Sequence, residues 1–304
     1  MKPGILITGG AGLLAVNWAG AVKHRYAVTL GLHARRIHMD GVTCRVVQLD
    51  SIDKIAAAIR AVDAEIVVHS AAMTSVDACE TAPESAHYAN VEIARNVARA
   101  CKAEGAKLVH ISTDHVFDGR GSMMDEHASV QPINVYAKTK AAAEEAVLDA
   151  CPDSIVARTN FFGWGPPYRK SFSDTIVETL REGREIGLFS DAYFTPILMN
   201  ALIEATHALI EKRSQGIFHI VGDERLSKFD FGLCIARAFD LDASLIKPTY
   251  LATRRDLVPR PLDLSLSNKK IREVLGLDLS NLSIDNQLKM LAMKNAKPSH
   301  PRVL

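Results

Sequence analysis

The chain has 304 residues, 48% of them apolar and 6% aromatic, which is long enough for one large α/β core or a core with a smaller lobe. Its 36 basic and 35 acidic side chains sum to +1 and gather into no long block of one sign, which excludes an electrostatic grip on nucleic acid or a membrane surface and favours a small-molecule partner. No run approaches the roughly 18 apolar residues of a membrane span, and Met1-Lys2-Pro3 leads into a short apolar strand without a signal-peptide core, so a cytoplasmic protein is expected.

The first half alternates short β-branched runs with helical stretches, the pattern of a parallel sheet covered on both faces. A strand from Gly4 to Thr8 runs into Gly9-Gly10-Ala11-Gly12, which opens a helix from Leu13 to Lys23. Gly9 takes a tight turn, Gly12 lets a pyrophosphate approach bare backbone, and the small Ala15 lets the helix pack closely on the strand. The amides at the helix start, those of Leu13 and Leu14, then face phosphate charge.

A second strand, Ala27 to Leu32, ends in His33-Ala34-Arg35-Arg36 where NAD-selective proteins place a carboxylate for the ribose 2′-hydroxyl. A guanidinium grips a 2′-phosphate with parallel hydrogen bonds, so NADP(H) is preferred over NAD. A third strand, Cys44 to Leu49, is followed by Asp50 and Ser51 before a helix from Ile52 to Ala61. Asp50 is placed either to accept from an adenine amino group or to serve the helix start.

Strands from Glu65 to Ser70, Lys107 to Ser112 and Ser154 to Arg158 follow, with helices from Val91 to Glu104 and Val135 to Leu148 between them. Gly105 is suited to a left-handed cap. Thr113 stands at the carboxyl end of a strand, where open α/β sheets bind ligands. Tyr136 and Lys140 lie four apart on one helix, so both project from one face. An ammonium beside a phenol favours phenolate and lowers its pKa, which makes the pair an acid for carbonyl reduction.

After Asn160 the alternation loosens, and Phe161 to Arg169 has the Gly, Pro and aromatic content of a connection that shapes a pocket. Helices are predicted from Phe172 to Arg181, Met199 to Lys212 and Lys228 to Phe239, with a strand from Ile217 to Val221 and a loose tail from Lys297 to Leu304. Cys44, Cys79, Cys101, Cys151 and Cys234 are odd in number and widely spaced, which points to reduced thiols and no structural metal.

In combination these residues resemble the extended short-chain dehydrogenase/reductases. The stretches 71–80 (AAMTSVDACE), 112–119 (STDHVFDG), 132–136 (PINVY) and 260–265 (RPLDLS) are similar to the dTDP-4-dehydrorhamnose reductase family over nearly the whole chain. The resemblance implies a Rossmann-type doubly wound parallel sheet, with an NADP-binding domain over residues 1–160, a smaller substrate-binding lobe over 161–304, and some strand exchange between them. It implies catalytic Thr113, Tyr136 and Lys140, with Tyr136 and Lys140 also holding cofactor beside the Ala71 and Ala72 backbone. Thr74, Thr113, Asp114, His115, Asn160, Phe161 and Arg260 fall on the substrate side, with Arg158 near them. The implied reaction is NADPH-dependent reduction of a 4-keto nucleotide-diphosphate deoxysugar, and a homodimer is left open.

His115, Ala137 and Phe161 depart from the Tyr, Gly and Trp-like residues usual there, which leaves the sugar open. An epimerase or dehydratase on the same fold is one alternative. The NADP-binding regulatory subunit of methionine adenosyltransferase, which resembles the same family, is the other.

Overall fold

The computed structural model describes residues 2–276, 282–293 and 301–304. Its strands in chain order are β1 (Gly4–Thr8), β2 (Ala27–Leu32), β3 (Ile37–His38), β4 (Thr43–Val46), β5 (Ala64–His69), β6 (Lys107–Ile111), β7 (Ile155–Arg158) and β8 (Phe161–Phe162). β9 (Ile186–Phe189), β10 (Tyr193–Phe194), β11 (Ile197–Leu198), β12 (Gly216–His219), β13 (Leu226–Ser227), β14 (Ile246–Thr249) and β15 (Arg302–Val303) complete them. The first helices are α1 (Leu13–Val22), α2 (Ile52–Ala61), α3 (Val76–Thr81), α4 (Pro83–His87), α5 (Ile93–Glu104) and α6 (Val135–Ala150). α7 (Phe172–Arg181), α8 (Met199–Glu211), α9 (Lys228–Ala238), α10 (Lys269–Leu275) and α11 (Ile284–Met293) follow.

β1 reads Gly-Ile-Leu-Ile-Thr and is buried at every position, as a parallel strand covered on both faces must be. Seven strands form one sheet in the order β12-β7-β6-β5-β1-β2-β4, all pairs parallel. One face carries α1 and α8, tied where Trp18 Nε1 donates to His207 Nε2 at 3.1 Å. The other carries α2, α5 and α6 over a second apolar cluster that includes Leu6, Val67, Val97 and Val156. The doubly wound α/β architecture is as the sequence predicts, and α5 ends on Gly105 with φ 67°, the left-handed cap.

β12 pairs with β7, so the chain beyond residue 160 returns to complete the first sheet. The remaining short strands form two-stranded pairs, β8 with β11, β9 with β14 and β10 with β13, around α7 and α9. α7 begins on a capping box: Ser171 accepts from the Asp174 amide at 3.0 Å, and the Asp174 carboxylate accepts from the Ser171 amide at 2.8 Å.

The loose tail is corrected where it can be seen. Residues 297–300 lie outside the described residues, but β15 pairs antiparallel with β3 and the Leu304 amide donates to the Arg36 carbonyl at 3.1 Å. Ladder bonds to an edge strand supply what periodicity in the tail could not signal. Among the described residues no helix is long and apolar enough to cross a membrane.

Candidate active site

The chain builds from β1 outward through β2 and β4, then crosses back to β5 and proceeds the other way. Such a reversal leaves a crevice at the carboxyl ends of the strands. The glycine turn occupies it. Gly9 has φ 69°, and a Cβ there would come within 2.9 Å of the Ala71 backbone, so only glycine lets the turn and the Ala71-Ala72 segment approach this closely. The Gly12 amide donates to the Gly9 carbonyl at 2.7 Å, and Gly12 then caps α1. The first amides of α1, including those of Leu13 and Leu14, lack intrahelical acceptors, and no acidic side chain sits in the first turn. This cradle fits the pyrophosphate of a dinucleotide.

His33, Arg35 and Arg36 stand exposed beyond the end of β2, with no carboxylate in the bend. The Arg35 guanidinium lies 4.5 Å from the centroid of the Tyr168 ring and donates to the Tyr168 carbonyl at 3.4 Å. From the same segment, Arg169 reaches the Thr74 hydroxyl at 3.5 Å. Residues 166–170 therefore touch both banks of the crevice, Arg35 beyond β2 and Thr74 beyond β5. Asp50 is exposed and paired with Lys54 at 3.2 Å, one helical turn on. Ser51 takes the N-cap position of α2 with no side-chain cap bond.

At the chemical end, Thr113 follows β6 and caps the short turn Asp114–Val116. Its hydroxyl accepts from the His115 amide at 3.2 Å and donates to Asp114 Oδ1 at 3.1 Å, and it stands close enough to the Tyr136 phenol to favour the phenolate. Tyr136 sits in the first turn of α6, which starts where Asn134 Oδ1 accepts from the Ala137 amide at 2.9 Å. The His115 ring meets the Tyr136 ring edge-on at 5.6 Å. Burial lowers the His115 pKa, so the imidazole there is neutral at pH 7.

Tyr136 and Lys140 lie on one face of α6, but their electrostatic relation departs from the expectation. Burial pushes the phenol up to about 12, with the nearby Thr113 hydroxyl opposing the rise and the Asp114 carboxylate adding to it. The Lys140 ammonium turns instead to the Ile111 carbonyl at 2.8 Å and to His110 Nε2 at 3.3 Å. Burial brings Lys140 down to about 8, while the charge of Glu144 opposes. The phenol is therefore a protonated donor at neutral pH, and spacing on a helix did not reveal where the ammonium would point.

On the substrate side, Asn160 donates to Asp114 Oδ2 at 2.5 Å and so joins the Thr113 turn. Phe161 is half-buried in β8, and Arg260 is held by Asp77 at 2.7 Å. Arg158 is corrected: it is 2% exposed and turned inward to Glu144 at 2.7 Å, so it is a buried partner and not a ligand contact.

Two residues that sequence reasoning missed are brought into the site. Asn90 accepts from the Met73 amide at 2.7 Å and donates to Thr139 Oγ1 at 2.9 Å, which fixes the loop that follows Ala72 against α6. Lys228 opens α9 with its ammonium 3.2 Å from the Phe194 ring centroid; burial lowers it to about 8, opposed by Asp114. Neither carries a local pattern, since both act across long sequence separations.

A family model described as RmlD substrate binding domain matches residues 1–291. The dTDP-4-dehydrorhamnose reductase of Salmonella typhimurium is 31% identical over 211 residues, 67% of this chain and 69% of that one. Methionine adenosyltransferase 2 subunit beta of Danio rerio is 27% identical over 292 residues, 94% of this chain and 88% of that one. The solved structure of the dTDP-4-dehydrorhamnose reductase of Bacillus anthracis in complex with NADP aligns with TM-score 0.84 at 25% identity, covering 97% of this chain and 100% of that one.

Proposed function

The chain belongs to the RmlD substrate binding domain family of extended short-chain dehydrogenase/reductases, and on that premise we propose that it reduces the 4-keto group of a nucleotide-diphosphate deoxysugar with NADPH. The observation that carries this reading is the buried, protonated Tyr136 phenol with Thr113 beside it, at a crevice bordered by the glycine turn and the open amides of α1. Residues 1–160 are read as the NADP-binding part and residues 161–304 as the substrate lobe.

The nicotinamide cofactor supplies the hydride that reaches the carbonyl carbon when it is bound. Gly9, Gly12 and the first amides of α1 would hold its pyrophosphate, and His33, Arg35 and Arg36 its 2′-phosphate. The Tyr136 phenol donates a proton to the oxygen as the C=O bond becomes C–O, while Thr113 donates a hydrogen bond to the same atom. Lys140 would donate its remaining N–H to a ribose hydroxyl next to that phenol. Asp114, Asn160 and His115 then border the sugar, and Arg260 is freed from Asp77 to meet the diphosphate.

The test is oxidation of NADPH, followed by its absorbance, with dTDP-4-dehydrorhamnose and a panel of related 4-keto nucleotide sugars. Turnover with at least one is expected. NADPH binding without turnover on any of them would instead favour the second reading, a non-catalytic subunit, which the similarity to methionine adenosyltransferase 2 subunit beta over 94% of the chain keeps in view.

Cofactor choice gives a separate expectation. Arg35→Ala should weaken NADPH binding by about 10- to 100-fold, the worth of a hydrogen bond to a charged group, and leave NADH binding nearly unchanged. Fluorescence titration with both nucleotides measures it, and an equal loss for both would place Arg35 outside the 2′-phosphate site.

A further inference from the structure

Behind the crevice lies a row of polar side chains that the reaction above does not use. Thr8, His69 and His110 stand at paired register positions on β1, β5 and β6, all of them buried. Thr8 Oγ1 lies 2.8 Å from His69 Nδ1, and the two imidazoles stack with centroids 5.4 Å apart. His110 Nε2 then lies 3.3 Å from Lys140 Nζ, which also donates to the Ile111 carbonyl at 2.8 Å.

An ammonium has three N–H groups and no acceptor. Two are taken by the Ile111 carbonyl and His110, both from β6, so a single N–H remains for a ligand and its direction is set by the other two. An imidazole nitrogen accepts only while that nitrogen carries no proton. Burial, with the charge of Lys140 in support, holds His110 well below its ordinary pKa, so it keeps that capacity across the neutral range.

Resting on the reductase reading, we propose that His110 is a positioning residue for Lys140: as the Nδ1–H tautomer, its Nε2 accepts one ammonium N–H and so aims the remaining one at the cofactor ribose beside Tyr136. The charged and titratable neighbours are few. Glu144 lies one turn beyond Lys140 on α6 and raises the Lys140 pKa. His69 on β5 is kept neutral by burial, at about 3. Arg158 on β7 is paired with Glu144 and adjoins His219 on β12 at 3.4 Å. Tyr136, one turn before Lys140, stays protonated. A neutral acceptor at position 110 steadies the ammonium without adding a second carboxylate, which would drive the Lys140 pKa upward.

The experiment compares the wild-type protein with His110→Leu and His110→Asn. It records the pH dependence of NADPH oxidation on dTDP-4-dehydrorhamnose, or on whichever 4-keto sugar nucleotide turns over, from about pH 6 to about pH 9.5. Activity carried by the Lys140 ammonium is lost as pH rises through its pKa, near 8. Loss of an acceptor disfavours the ammonium, so in His110→Leu the alkaline limb should move toward acid by about one unit, and kcat at neutral pH should fall by about tenfold with the sugar-nucleotide KM unchanged.

His110→Asn, which returns a neutral acceptor, should restore the limb. An unmoved limb in His110→Leu, or an Asn variant that behaves like Leu, overturns the proposal. Independently of any variant, ¹⁵N spectra of the wild-type imidazoles should show Nδ1 protonated and Nε2 bare in His110; an Nε2–H tautomer overturns it too. A wild-type protein that neither binds nor oxidises NADPH would sink the reductase reading itself, whereas normal wild-type turnover with either contrary result sinks only the role of His110.

Discussion

Tyr136→Phe should cut the rate of NADPH-dependent reduction by about a thousandfold, near 4 kcal/mol of barrier, the middle of the range for a positioned general acid. The ring is kept, so the packing of Tyr136 against Val76, Cys79 and Ala86 survives and only the phenolic oxygen is lost. Burial holds that oxygen protonated up to about 12, which makes it a donor throughout the range in which the enzyme is assayed. The loss should fall on kcat, because a proton delivered during reaction contributes little to ground-state binding. NADPH affinity, read by fluorescence titration, should stay within about twofold. A variant that retains wild-type kcat would mean that the proton comes from another group, such as Lys228 or water, and would remove Tyr136 from the reaction.

The largest stability effect is expected at Glu144. Its carboxylate accepts from Arg158 Nε at 3.0 and 3.1 Å and from Arg158 Nη2 at 2.7 Å, and it accepts from the Ser112 hydroxyl as well. Arg158 is 2% exposed, so Glu144→Gln leaves a guanidinium inside the protein with no counter-charge. Breaking a buried pair from one side costs about 3–5 kcal/mol, whereas replacing both partners by apolar groups of similar size costs far less. Urea denaturation should therefore rank the double substitution Glu144→Leu with Arg158→Met as more stable than either Glu144→Gln or Arg158→Met alone. Additive losses in the double variant would refute this account of the pair.

Local signals explain which parts of the fold were readable beforehand. The turn at Gly9–Gly12, the helix bounds of α2 and α7, and the cap at Gly105 depend on residues within a few positions of one another, and each is found as the sequence predicts. Where side chains point once helices pack was not readable. Tyr136 and Lys140 share a face, yet Lys140 is drawn to β6 by an acceptor 30 residues away in sequence. Arg158, read as near the substrate, is turned inward by Glu144 on a helix that precedes it. The short helices α3 and α4 and the pairing of β15 with β3 escaped for a similar reason, since two- to six-residue elements carry too little periodicity to be distinguished from loop.

The segment at residues 166–170 that rests on Arg35 at one end and on Thr74 at the other has a kinetic corollary. A nucleotide lying along the crevice between those two residues has to break or slip beneath both contacts to enter, and again to depart. One of them is a long hydrogen bond and the other a cation resting on an aromatic face, so neither is a strong latch. Shortening the Tyr168 side chain should therefore alter how long the nucleotide dwells in the protein far more than how it is oriented there. Exchange of spent for fresh coenzyme should then depend on these two weak contacts as well as on the sheet beneath them.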